Sequence, residues 1–215
     1  MIRIVIADDH EVVRAGIKAL LEKQLEEALV VAEATDGAEA YAIVAKEKPD
    51  ILLMDISMPP GESGLIACEK ITRDFQNTKV IILTMFSESE YLYFTLRGGA
   101  SGYVLKNASP EELISAITTV YAGGTYVHPE MTEALARQVI SPDHEHDSRY
   151  KNLTTRELEI LQLLAKGYTN KEISEKIYLS VKTIEAHRSK IYSKLGCKTR
   201  SDLVSYAFKH KLLDV

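Results

Sequence analysis

The rhythm of hydrophobic and polar positions divides the chain in two. Over the first ~120 residues, short β-branched runs alternate with stretches whose apolar residues recur every three or four positions. The runs Ile2–Ala7, Leu29–Ala34, Asp50–Met54, Lys79–Thr84 and Gly102–Leu105 predict strands. Several are almost continuously apolar, as strands covered on both faces must be. Helical spacing follows each of them, at Glu11–Lys23, Ala38–Lys46, Leu65–Phe75, Glu88–Arg97 and Pro110–Tyr121. The fifth helix carries explicit start signals: Ser109 as N-cap, Pro110 at the first helical position and Glu112 at the third. Gly123-Gly124 stops it. Five successive β–α units predict a five-stranded, doubly wound parallel sheet over residues 1–125.

Residues 126–148 read as a connector. Met131, Leu135 and Val139 give Pro129–Ile140 a helical stripe, and the polar run Ser141–Ser148 reads as a link. His144 and His146 lie in that link without a wider ligand set, so they read as solvated residues and not as a metal site. From Leu153 onward only helical spacing remains. Thr154-Thr155-Arg156-Glu157 and Thr169-Asn170-Lys171-Glu172 fit the capping-box pattern. They predict helices over 155–166 and 170–177, followed by helices over 181–195 and 201–210. The short turn Tyr178-Leu179-Ser180 between the second and third makes a helix-turn-helix inside a four-helix, all-α unit spanning 149–215.

Charge sharpens this division. The chain has 215 residues and a formal net charge of −5. Residues 1–147 hold 12 basic and 24 acidic side chains, net −12, whereas residues 148–215 hold 14 and 7, net +7. An acidic unit therefore carries a small basic one, and only the basic one suits a polyanion. No apolar run reaches the ~18 residues of a membrane span, so no membrane partner is expected. The two cysteines, Cys68 and Cys197, cannot make a disulfide framework. The first residues meet Asp8-Asp9 too early for a secretory signal. A cytoplasmic protein is expected.

In an open parallel sheet, sites form beyond the carboxyl ends of the strands. Asp8 and Asp9 close the first strand, Asp55 the third and Thr84 the fourth. Lys106 follows the fifth, three residues after Tyr103. Clustered carboxylates need neutralising, and Mg²⁺ prefers such oxygen ligands. A carboxylate nucleophile, a metal, a cation and a hydroxyl are the parts for phosphoryl transfer to an aspartate. No Gly-rich phosphate loop opens any of the helices, which argues against a tight nucleotide site. A metal-dependent phosphohydrolase is the rival reading; Ser57 stands where its second acid would, two residues after Asp55.

The basic unit presents a second candidate surface. On the predicted helix over 181–195, Ile184, Ile191 and Leu195 form a core stripe. Lys182, Glu185, Ala186 and Ser189 share another face, flanked by Arg188, Lys190 and Lys194. A small, polar centre with basic edges suits base contact between phosphate clamps. His187 lies toward the core stripe and reads as a packed, hydrogen-bonded histidine. In the last helix, Leu203 with Ala207 and Val204 with Phe208 form two apolar stripes. A regulator whose basic unit binds an acidic protein instead of DNA is the other rival.

Residues 1–125 resemble the flavodoxin-like receiver domain of two-component response regulators, on Asp8-Asp9, Asp55, Met58-Pro59, Thr84 and Tyr103 with Lys106. Residues 149–215 resemble the LuxR-type helix-turn-helix of the NarL/FixJ group. They do so on Leu153-Thr154-Thr155-Arg156-Glu157, Gly167-Tyr168-Thr169-Asn170-Lys171-Glu172-Ile173 and Ser180-Val181-Lys182-Thr183-Ile184-Glu185-Ala186-His187. The loop Pro59–Leu65 is similar to that of the oxygen- and nitrate-responsive NreC-like branch. The resemblance implies a regulator, not an enzyme. Asp55 would be phosphorylated by a sensor histidine kinase, with Mg²⁺ held by Asp8 or Asp9, Asp55 and the backbone carbonyl of Ser57. Thr84 would shift toward the phosphoryl group, Tyr103 would turn inward and Lys106 would contact the phosphoryl oxygens. It implies DNA contacts from Lys182, Thr183, Glu185, Ala186, Arg188 and Ser189. A homodimer through Leu203, Val204, Ala207 and Phe208 would bind double-stranded promoter DNA on activation. One departure stands out: Gly64 follows Asp55 by nine residues, where the family usually has eight.

Overall fold

A computed structural model of the chain describes residues 1–59, 61–85, 89–132, 148–210 and 212–213. These residues fall into two compact units, one on each side of 133–147. The predicted link, with His144 and His146, and most of the Pro129–Ile140 helix lie outside the described residues; Pro129–Thr132 form a helical turn.

The first unit runs β1 (Ile2–Ala7), α1 (Glu11–Gln24), β2 (Ala28–Ala34), α2 (Gly37–Glu47), β3 (Ile51–Asp55), α3 (Gly64–Asp74), β4 (Lys79–Thr84), α4 (Ser89–Arg97), β5 (Gly102–Leu105), α5 (Pro110–Tyr121) and β6 (Tyr126–Val127). The sheet is parallel throughout, in the order β2-β1-β3-β4-β5-β6. The central β3 is buried along its whole length, which explains its unbroken apolar run. One face of the sheet, with Ile4, Ile6, Ile51, Leu53, Ile81, Leu83 and Val104, packs against Leu113, Ile117 and Val120 of α5. Ser109 and Glu112 close the anticipated capping box of α5.

The sheet has six strands and not five. Tyr126 and Val127 pair with Gly102 and Tyr103 of β5. A two-residue strand is too short to carry a period, so the sequence pattern places it in the connector. Asp50 lies just outside β3, and its side chain accepts a hydrogen bond from the Arg3 backbone N–H at 2.8 Å.

The second unit begins with a 3-10 turn (Ser148–Asn152). Four helices follow: α6 (Thr155–Ala165), α7 (Asn170–Lys176), α8 (Val181–Leu195) and α9 (Arg200–Lys209). Both predicted capping boxes form, at Thr154 and at Thr169. A third, Thr199 with Asp202, starts α9 one residue earlier than the pattern indicated. Leu158, Leu161, Ile173, Ile184, Ile191, Leu195 and Leu203 are buried and form the core, each worth ~1.5–3 kcal/mol against exposure.

Candidate functional site

The parallel register brings the carboxyl ends of β1, β3, β4 and β5 to one edge. Ala7 pairs with Met54, Asp55 with Leu83, and Thr84 with Leu105. The Lys106 backbone N–H then donates to the Thr84 carbonyl at 2.7 Å, which fixes where its side chain starts. Lys106 Nζ reaches across to Asp8 Oδ2 and Asp55 Oδ2, both at 2.7 Å. Asp8 and Asp55 are buried, so three of the predicted residues meet at this edge, and buried Thr84 ends the neighbouring strand.

One member of this cluster is absent from the sequence reading. His10, the N-cap of α1, donates its backbone N–H to Asp8 Oδ1 at 2.8 Å, and its Nδ1 lies 2.8 Å from Asp9 Oδ1. A ligand atom from each of Asp8, Asp9, His10 and Asp55 lies within 4.8 Å of the others. The available signal was position alone, since the residue after the Asp8-Asp9 pair must stay at the pocket rim.

Burial raises the Asp55 carboxyl above its ordinary range and the charge of Asp8 adds to this, while the hydrogen bond and charge of Lys106 oppose it. Burial works against the Lys106 ammonium too, but its contacts with the carboxylates of Asp55 and Asp8 outweigh this and raise it. Among the described residues, two buried carboxylate oxygens, Asp8 Oδ2 and Asp9 Oδ1, have no partner in hydrogen-bond geometry; His10 Nδ1 lies 2.8 Å from the second as an ion-pair contact. Lys106 meets the first at ion-pair distance, but outside hydrogen-bond geometry. Oxygens with unused acceptor capacity beside Asp55 are the donor set a hard divalent cation takes, so the residues fit Mg²⁺.

The long loop after β3 returns in spite of its additional residue. Gly64 N–H donates to the Ile56 carbonyl at 2.8 Å, and a Cβ at Gly64 would lie 1.8 Å from the Asp55 carbonyl oxygen. Only glycine permits that approach. Ser57 is half-buried and its backbone N–H lies 3.4 Å from Asp55 Oδ1. Tyr103, on neighbouring β5, is enclosed in the core.

In the second unit, Ser180 caps α8 by accepting from the Thr183 N–H. Lys182, Glu185, Ala186, Arg188 and Ser189 are exposed on α8 and Thr183 is half-buried, so the expected contact face is available. Lys194 is not a phosphate clamp. Its Nζ lies 2.6 Å from Glu157 Oε2 and donates to the Asn152 carbonyl at 2.9 Å. His187 packs half-buried as expected, but its buried Nδ1 has no hydrogen-bond partner among the described residues. Burial pushes its imidazole pKa down. On α9 the two apolar stripes part. Leu203 and Ala207 are fully buried in their own unit and cannot make dimer contacts, whereas Phe208 is 75% exposed and Val204 is partly exposed.

Comparison with known proteins decides what this arrangement belongs to. A model of the response regulator receiver domain matches residues 4–118, and one of bacterial regulatory proteins of the luxR family matches 151–207. The chain belongs to the LuxR-type response regulators. This response regulator is 53% identical to the oxygen regulatory protein NreC of Staphylococcus haemolyticus and 54% identical to that of Staphylococcus aureus, in each case over 99% of both chains. Among solved structures it resembles the RcsB response regulator of Salmonella typhimurium, with TM-score 0.71, 30% identity and 97% of both chains covered. RcsB bound to promoter P1flhDC in the presence of the phosphomimetic BeF3- matches with TM-score 0.67 and 29% identity, over 95% of this chain and 97% of that one. The response regulator is thus a transcription factor and not an enzyme, which removes the phosphohydrolase reading. Among the described residues no helix is long and apolar enough to cross a membrane.

Proposed function

We propose that Asp55 accepts a phosphoryl group from the phosphohistidine of a sensor histidine kinase, and that the modified protein binds double-stranded promoter DNA as a homodimer. The observation that carries this reading is Lys106 reaching 2.7 Å from both Asp8 and Asp55 at the carboxyl edge of the sheet. The functional units are taken as the receiver over 1–125, a connector over 126–148 and the DNA-binding unit over 149–215, in a cytoplasmic protein.

Asp55 provides the nucleophile. One of its carboxylate oxygens forms the new P–O bond while the P–N bond of the phosphohistidine breaks and its electron pair returns to the imidazole. Asp8, Asp9, Asp55 and the backbone carbonyl of Ser57 are the residues that would hold Mg²⁺, which when bound supplies positive charge for the phosphoryl oxygens. Lys106 supplies a further cation, released from one carboxylate as phosphate takes its place. Thr84, at the end of the neighbouring strand, supplies a hydroxyl to a phosphoryl oxygen. The change is thereby felt along β4 and β5, where Tyr103 lies.

Lys182, Thr183, Glu185, Ala186, Arg188 and Ser189 of α8 form the DNA-contact face, and Val204 with Phe208 of α9 form the dimer contact. A solved structure of two RcsB dimers on two parallel DNAs supports the dimeric form. The identity to proteins named for oxygen regulation supports target genes under oxygen control. Titrating the full chain against duplex DNA at several salt concentrations, with and without acetyl phosphate, tests the proposal. A steep salt dependence and tighter binding after phosphorylation are expected. Salt-independent binding would support the rival protein partner.

A further inference from the structure

Three helices of the DNA-binding unit end in the same way. The backbone N–H of Tyr168 donates to the Leu163 carbonyl, that of Leu179 to Ser174 and that of Cys197 to Tyr192, each at 3.1 Å. These five-residue reaches close the ends of α6, α7 and α8 and force the residue before the donor into the left-handed region. At two of the ends that residue is glycine: Gly167 at φ 104 and Gly196 at φ 70. At the third it is Tyr178, at φ 55. A bulky side chain is strained there, and a glycine would make the same turn without strain.

Nothing inside the unit accounts for the tyrosine. Its side chain is 77% exposed, and among the described residues none hydrogen-bonds its hydroxyl. Its position does account for it. Tyr178 sits in the turn between α7 and α8, two residues before the N-cap Ser180 and four before Lys182. Exposed Lys171, Lys176 and Lys182 carry positive charge on the two helices that the turn joins, and Val181 next to it is also exposed. The surface thus combines an aromatic ring, a hydroxyl donor and cations, continuous with the contact face of α8. A strained residue that the fold does not need is a marker of an intermolecular role.

We infer that Tyr178 is a DNA-positioning residue. Its ring lies against a deoxyribose and its hydroxyl donates to a phosphate oxygen, fixing how the start of α8 enters the major groove. This rests on α8 being the DNA-contact helix. Being made to the backbone, the contact is independent of sequence, and being neutral it releases no counterion.

The test compares full-length wild type, Tyr178→Gly, Tyr178→Phe and Lys182→Ala, each treated with acetyl phosphate and Mg²⁺. Each is titrated against a mixed-sequence duplex of about three helical turns over a range of salt. Tyr178→Gly is expected to bind about tenfold more weakly with an unchanged salt slope. Tyr178→Phe is expected to lose a smaller share, and Lys182→Ala to lower the slope by about one. The melting temperature of Tyr178→Gly should be equal to or above that of wild type, because the strain is gone. Wild-type affinity in either Tyr178 variant overturns the inference. So does a lower melting temperature in Tyr178→Gly, which would make the tyrosine a structural residue. If wild type itself shows no salt-dependent duplex binding, the underlying assignment of α8 fails instead.

Discussion

Glu157 ties the recognition helix to the rest of its unit, and removing it has a calculable cost. The side chain is 2% exposed. Its Oε2 accepts the Thr154 backbone N–H at 2.8 Å and lies 2.6 Å from Lys194 Nζ, so one carboxylate closes the N-terminus of α6 and holds the last turn of α8. Glu157→Ala removes the side-chain half of the capping box, a hydrogen bond worth ~1 kcal/mol, and leaves the bond from its own backbone N–H to Thr154 Oγ1 in place. It also leaves the Lys194 ammonium with only the Asn152 carbonyl, at a cost of about 1–3 kcal/mol. Lys194 is a third exposed and water can partly replace the carboxylate, so the lower half of that range applies. The expected total is about 2–3 kcal/mol, and at ~4–8 °C per kcal/mol for a unit this small the melting temperature falls by roughly 10–20 °C. Burial pushes the Glu157 carboxyl up, but Lys194 and the Thr154 amide outweigh it and hold the carboxyl below its ordinary value of 4.5. The unfolded chain therefore binds more protons than the folded one in that window, so this stability is present above about pH 4.5 and is lost as pH falls through the folded value. Scanning calorimetry of the full chain between pH 7 and the acid limb checks both effects. The transition of the DNA-binding unit should move in Glu157→Ala and that of the receiver should not, and Glu157→Gln should flatten the acid limb. A shift under about 2 °C, or an unchanged acid limb, refutes the reasoning.

Other predictions follow from the same geometry. Gly64→Ala forces the loop off the Asp55 carbonyl and should cost about 1–3 kcal/mol, with slower labelling by acetyl phosphate; thermal melts and rate measurements check it. Lys182→Ala combined with Arg188→Ala should lower the salt slope of duplex binding by about two and leave phosphorylation unchanged. Phe208→Ser should abolish dimerisation of the phosphorylated protein in sedimentation while stability changes by under about 0.5 kcal/mol; Leu203→Ala should instead destabilise the unit by about 2–5 kcal/mol.

The acids of the pocket were legible in the sequence because a parallel sheet sends the ends of all its strands to one edge. Placing Asp8, Asp55, Thr84 and Lys106 at strand ends was therefore enough to bring them together. The capping boxes at Thr154 and Thr169 were equally plain, since each encodes two hydrogen bonds within four residues. What escaped depends on partners distant in sequence or on elements too short for a period. Tyr126-Val127 becomes a strand only because β5 is beside it. Lys194 looks like a free cation on α8 until the fold brings Glu157 and Asn152, about forty residues back, against it. The two stripes of α9 are equivalent by pattern, and only packing in the unit separates buried Leu203 and Ala207 from exposed Phe208.

The most direct measurement of the central claim is peptide-resolved mass spectrometry of the full chain after incubation with acetyl phosphate and Mg²⁺. One added phosphoryl mass on the peptide containing Asp55, absent in Asp55→Asn, is the predicted result. A folded wild-type protein that gains no such mass, or an Asp55→Asn variant that gains it in full, would contradict the account.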